Sequence, residues 1–186
     1  MTTVDTAIPA VDELLVDSAQ RLFADTATFD AVQAAEAEGW SDPVWNAVAE
    51  AGFAWIGLPV DAGGSGGSLS DACEVVRIGA SFAAPVPLAE TALLGGWLLT
   101  EAGLELPDGA VTVIPGVAGD TLTTRTESDG LVVSGTAQRV PWAARADLIT
   151  AVVDSADGAF VVAVPPAAVR IEGVTNVAGE PRETVH

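Results

Sequence analysis

The residue types able to do chemistry fall in a few short stretches. LPVDAGGSGGSLSD, at 58–71, sets Gly63-Gly64-Ser65-Gly66-Gly67 directly ahead of a helix-like pattern. That composition fits a phosphate-cradling loop, a flexible linker or a tight connector. The spacing argues against phosphate. A P-loop needs Lys after its last glycine, and the sequence contains no Lys. The dinucleotide fingerprint needs a glycine three residues beyond its second, where Leu69 follows Gly66. Helical patterns of one kind flank the stretch, so a turn-rich connector is favoured over a linker between domains. Arg139 and Arg145 flank Val140-Pro141-Trp142-Ala143-Ala144. A guanidinium beside an indole can hold an anionic, aromatic ligand; a surface arginine over an apolar loop fits the same residues equally well. The carboxylate pairs Glu36/Glu38 and Asp154/Asp157 lie in short polar segments and read as solvated faces. Cys73 follows Ala72 on a helical pattern and is expected to be a buried, inert thiol. The one histidine, His186, excludes a His/Cys metal site and a Ser-His or Cys-His pair.

The surrounding composition bounds what those residues can serve. The chain has 186 residues, 49% of them hydrophobic, enough to build a core. All seven basic residues are Arg, and against 26 carboxylates they leave a formal charge of −19. Such a surface repels nucleic acid and anionic membranes. No signal peptide and no membrane-length apolar run is expected, which suggests a cytoplasmic protein without membrane insertion.

The period of the apolar residues divides the chain. Val11, Leu14, Leu15, Ser18 and Leu22 share one helical face. Phe29 to Glu38 reads as a second helix, stopped by Gly39. Ser41-Asp42-Pro43 starts a third, with Val44, Val48 and Ala51 as its apolar stripe. Ser68 or Ser70 caps a fourth, buried through Ala72, Val75, Val76, Gly79 and Ala83. Pro87 opens a fifth, PLAETALLGGWLLTEAG, apolar on most sides and expected to be buried; its Gly95-Gly96 pair suggests close approach by another backbone. After Leu106-Pro107-Asp108-Gly109 the period changes to strands: 110–115, 121–127, 131–137, 146–153, 160–164 and 169–171, with Asp129-Gly130 and Asp157-Gly158 as hairpin turns. The expected fold class is α+β: an all-helical domain over residues 1–106, then an antiparallel β-barrel or sandwich over residues 107–186.

The ordered pieces resemble the acyl-CoA dehydrogenase family of flavoenzymes. The run WSDPVWNAVAEAGFAWIGLPVDAGGSGGSLSDACEVVRIGASFAAPVPLAET is similar to that family's helix, "G-l-P-x-x-x-G-G-x-G-x-S" connector, helix and "P-x-P" turn. Gly130 to Ala137 followed by Ala146-Asp147-Leu148 resembles its "G-y-x-l-x-G-x-K … A-D-l" strand pair, and 176–185 the segment closing its middle domain. The resemblance implies FAD as cofactor, an acyl-CoA thioester as substrate, an electron-transfer flavoprotein or similar acceptor, and a homo- or hetero-oligomer. It places the flavin along Arg139, Val140, Pro141 and Trp142, and beside the loop TVIPGVAGD, through Thr112, Gly119 and Asp120. The sequence departs from the family at these points. Arg139 stands at the aromatic flavin-stacking position, Pro141 at a hydroxyl donor, Ala137 at a usual Lys, and Gly119 at a Ser. The C-terminal helical bundle that carries the family's carboxylate base has no counterpart in the sequence, so no catalytic residue is assigned. The expectation is a partial or divergent subunit, inactive alone, in fatty-acid or steroid side-chain catabolism, or else a non-catalytic subunit of a heteromer.

Overall fold

The computed structural model describes residues 10–128, 130–155 and 158–186. The helical half contains α1 (Glu13–Thr26), α2 (Phe29–Glu38), α3 (Asp42–Glu50) and α4 (Leu69–Ser81), then a π-helix (Ala89–Gly95) running into α5 (Gly96–Glu101). Side chains cap the starts of α1, α2 and α4, whereas α3 starts after Ser41 with Pro43 in its first turn and no side-chain cap bond. The Asp12 and Thr28 side chains accept N–H groups of α1 and α2, and Gly39 ends α2 in the left-handed conformation at φ 66. Ser68 and Asp71 form a reciprocal capping box on α4. Asp71 also accepts the Asp12 N–H at 3.1 Å and so ties the start of α1 to the start of α4. The Ser68 hydrogen bonds, and then that of Asp12, hold the Asp71 carboxyl below the usual carboxylate range. The core of this half is Phe23, Trp40, Val44, Trp45, Val48, Phe53, Val75 and Ile78.

Several expectations about these helices need correction: Leu14 of the apolar face of α1, Ala51 of the α3 stripe and Ala83, which lies beyond the end of α4, are exposed. Cys73 is exposed rather than buried. The inner face of α4 runs through Ala72, Val75, Ile78 and Gly79, and one residue past Ala72 is about 100° further round the helix. In the fifth helical segment Thr91, Ala92, Gly95, Gly96 and Leu99 are buried, but Leu94 and Trp97 face outward.

The glycine stretch folds as a tight connector. Gly57, Gly64, Ser65 and Gly66 spend their N–H groups on the carbonyls of Gly66, Pro59, Trp55 and Leu58 at 2.7–3.0 Å. Those donors are closed to a phosphate. A side chain at Gly64 would place its Cβ 2.4 Å from the Leu58 carbonyl oxygen, which explains the glycine there.

The β half contains β1 (Val111–Val113), β2 (Thr123–Glu127), β3 (Gly130–Ser134), β4 (Ala137–Pro141), β5 (Leu148–Ser155), β6 (Gly158–Val164), β7 (Ile171–Glu172) and β8 (Arg182–Val185). They form the sheets β1-β5-β6, β2-β3 and β4-β8-β7. The expected α+β class is observed. The pairings are antiparallel except that of β1 with β5, which is parallel. The described strands form separate small sheets and do not close a barrel. Asp129 and Asp157, expected in the two hairpin turns, lie outside the described residues. No described helix is long and apolar enough to cross a membrane.

The π-helix makes one of the contacts between the halves. Thr91, fully buried, donates its hydroxyl to the Val111 carbonyl at 2.9 Å and accepts the Val111 N–H at 3.3 Å. Gly96 donates its N–H to the Thr91 carbonyl, the widened i→i−5 bond of a π turn. A Cβ on Gly95 would lie 2.4 Å from Val111 Cγ1 and 3.3 Å from the Thr112 carbonyl oxygen, so the expected close approach is made to β1. Gly95→Ala is therefore expected to destabilise the protein by about 1–3 kcal/mol, the cost of overpacking, as read by denaturant unfolding.

Candidate functional site

The two sequence segments singled out for flavin contact meet in the fold. β1 carries Thr112, and the loop that follows it returns to β4. The Thr112 hydroxyl donates to the Pro141 carbonyl. The Thr112 carbonyl accepts the Thr150 hydroxyl at 2.8 Å. Further along, Asp120 Oδ1 accepts the Gln138 N–H at 2.8 Å, Asp120 Oδ2 accepts the Val117 N–H at 2.9 Å, and the Gly119 carbonyl accepts from Gln138 Nε2 at 3.4 Å. Asp120 thus closes its own turn and clasps it to β4. Gly119, at φ 104, has the backbone that this clasp requires.

β4 is irregular where the segment matters. Its register with β8 shifts between Ala137 and Val140, a bulge that leaves Gln138 and Arg139 exposed. Arg139 has φ 58 and Trp142 φ 45. Left-handed backbone is costly for residues with a side chain, and two such positions flank Val140-Pro141. Val140 is fully buried in the β core, and Pro141 and Trp142 are buried beside it. Trp142 turns toward the helical half, donating its Nε1–H to the Gly39 carbonyl at 3.0 Å. The Arg145 guanidinium reaches the Glu38 carbonyl at 3.4 Å. Glu183 of β8 accepts the Ala144 N–H at 3.0 Å and fixes the turn after Trp142; burial raises its carboxyl above the ordinary value.

Thr112, Val140, Pro141 and Trp142 thus spend their side chains inside the fold. Arg139, Gly119 and the outer edge of the Asp120 turn are the candidate residues that face outward. Sequence reasoning missed β8, which forms the middle of the β4-β8-β7 sheet. Its Arg182 has its guanidinium carbon 5.3 Å from the Trp142 ring centroid, and its guanidinium nitrogens lie 3.2 Å from a Glu180 oxygen and 3.9 Å from a Glu90 oxygen. The alternation in Arg182-Glu183-Thr184-Val185 was the available signal, with Glu183 and Val185 buried. Of the carboxylates read as solvated, Glu36, Glu38 and Asp154 are exposed. Asp157 lies outside the described residues.

A sequence model described as the acyl-CoA dehydrogenase N-terminal domain matches residues 10–105, more than half of the chain. The chain belongs to the acyl-CoA dehydrogenase family. Among solved structures it is similar to a variant of the Tcur3481-Tcur3483 steroid ACAD, at 26% identity and a TM-score of 0.80 over 92% of this chain and 53% of that one. It shares its fold with the ChsE4-ChsE5 complex from Mycobacterium tuberculosis, at 17% identity and a TM-score of 0.84 over 98% of this chain and 55% of that one. It also shares its fold with XiaF from Streptomyces sp., solved in complex with FADH2 and glycerol, at 17% identity and a TM-score of 0.70 over 92% and 47%. This acyl-CoA dehydrogenase-family chain therefore spans about half the length of these structures. No curated protein matches it. The family is one of FAD-dependent oxidoreductases.

Two outcomes follow from the site. Thr112→Val keeps the shape but leaves the Pro141 carbonyl without its donor. It should cost about 1–3 kcal/mol in urea unfolding, with Thr112→Ser recovering part of that. Glu90, in the π-helix, has its carboxyl pushed up by burial, an effect that Arg182 opposes and Glu180 reinforces. A raised value means that its stabilising contribution is full below the unfolded-state value and is lost as pH rises through the folded one. Melting temperatures measured between about pH 4 and pH 7 should therefore fall less steeply with rising pH in Glu90→Gln than in the wild type.

Proposed function

We propose that this chain is the N-terminal and middle part of an FAD-dependent acyl-CoA dehydrogenase subunit, acting on an acyl-CoA thioester in fatty-acid or steroid side-chain catabolism. One observation carries the reading: in a chain of this family, the Thr112–Asp120 loop is hydrogen-bonded to β4 at both ends, from Thr112 to Pro141 inside the fold and from Asp120 to Gln138 next to the exposed Arg139. When bound, FAD would supply two-electron oxidation of the Cα–Cβ bond. Arg139 would present donors to it, and the Gly119–Asp120 turn a backbone edge. Thr112, Val140, Pro141 and Trp142 act behind that edge, holding it at fixed height. Among the described residues Asp120 is the carboxylate of this turn, and both its oxygens already accept backbone N–H groups, so it is not assigned the α-proton. The proton-abstracting group is supplied by further chain or by a partner subunit, and an electron-transfer flavoprotein or similar acceptor reoxidises the assembly.

A second reading is favoured by Arg139 and Pro141, neither of which supplies the aromatic ring or hydroxyl that the family resemblance places there. On that reading the chain is a non-catalytic subunit of a heteromeric dehydrogenase. The 186-residue chain, assayed with acyl-CoA and an artificial electron acceptor, is expected to show no turnover. Robust turnover would sink the requirement for a group from outside it. Stoichiometric flavin absorbance after purification with a partner separates the catalytic reading from the non-catalytic one.

A further inference from the structure

Arg139 is the exception among the arginines. Arg77, Arg125, Arg170 and Arg182 each meet a carboxylate. Arg21 donates to the Asp17 carbonyl and Arg145 to that of Glu38. Among the described residues the Arg139 guanidinium makes no hydrogen bond and no ion pair. In a chain with 26 carboxylates against seven cations, an unclaimed guanidinium needs a reason. So does its backbone. At φ 58 on an exposed bulge, glycine would hold the same conformation without strain, yet a long charged side chain occupies the position. The nearest acid along the clasp, Asp120, is held off by the two N–H groups that it accepts.

The geometry points to Arg139 as an anion-recognition residue. Its guanidinium takes a phosphate group of a nucleotide-type ligand brought to the face that Gln138, Arg139 and the Gly116–Asp120 loop share. The charge balance favours phosphate. A polyanionic nucleotide is repelled by a chain of formal charge −19 and needs a local cation not already neutralised. The planar fork of arginine meets two phosphate oxygens at once, which an ammonium does not. This rests on the reading that FAD and acyl-CoA are the ligands of this surface. Both carry phosphates, so the chemistry is shared and the source is for experiment to separate.

The test follows the Arg139 Nε–H resonance of the 15N-arginine-labelled chain, identified by its loss in Arg139→Lys. Inorganic pyrophosphate, FAD and CoA are titrated in separately. Saturable movement of this resonance by pyrophosphate, ahead of the other six arginines, supports the proposal. So does binding about tenfold or more weaker in Arg139→Gln, with partial recovery in Arg139→Lys. Arg139→Gly is the folding control: it relieves the left-handed strain and should melt at or above the wild-type temperature while losing the anion. Movement by FAD but not CoA assigns the phosphate to the cofactor, and the reverse assigns it to the thioester carrier. Movement by pyrophosphate alone upholds the anion site and removes the flavoenzyme reading. An unmoved Arg139 resonance, equal movement of all arginines, or undiminished binding in Arg139→Gln overturns the proposal.

Discussion

The structure hangs on three buried threonine hydroxyls. Thr91 meets both backbone groups of Val111, Thr112 reaches the Pro141 carbonyl, and Thr150 reaches the Thr112 carbonyl. All three residues are fully buried. Inside an apolar core an unmatched carbonyl costs more than a matched one contributes, so each hydroxyl fixes the spacing of the elements that it joins. Together they set the π-helix against β1, β1 against the end of β4, and β1 against β5. Arg139 is exposed two residues before Pro141, so its position follows from this arrangement.

The threonines also show what a sequence reveals and what it conceals. Helix limits were legible because they depend on local chemistry: Gly39 ending α2, a serine at 68 or 70 opening α4, and the change of period after Pro107. The connector at 58–71 was legible by elimination, from the missing Lys and the wrong glycine spacing. The roles of Thr91, Thr112 and Thr150 were not. A hydroxyl bonded across 20 to 38 residues of chain leaves no periodic trace. The parallel pairing of β1 with β5 escaped for a similar reason: strands that follow one another through tight turns suggest antiparallel neighbours, and β1 instead joins a strand far along the chain. The candidate site was only half legible. The resemblance pointed to both segments, and the fold does join them, but it turns Thr112, Val140, Pro141 and Trp142 inward. Whether a β-strand residue faces in or out near a bulge depends on a register shift that composition does not encode.

Strain and charge meet at one place on the surface. The bulge in β4 and the left-handed residues on either side of Val140-Pro141 hold the backbone away from its preferred shapes, and the inward bonds of Trp142 and Pro141 supply the restraint. Trp142 and Arg145 meanwhile reach carbonyls at the end of α2, so the segment also joins the helical half. The α2 terminus and the turn after Arg139 are therefore joined by direct hydrogen bonds.

The bond between Thr91 and Val111 has one more consequence. β1 is hydrogen-bonded to β5 along one side, and along the other the threonine takes up the N–H and carbonyl of Val111 that would otherwise stand open. A bare strand edge is a template for another chain, and here a single side chain blocks it. At Val111 the position where a foreign strand would hydrogen-bond is already filled.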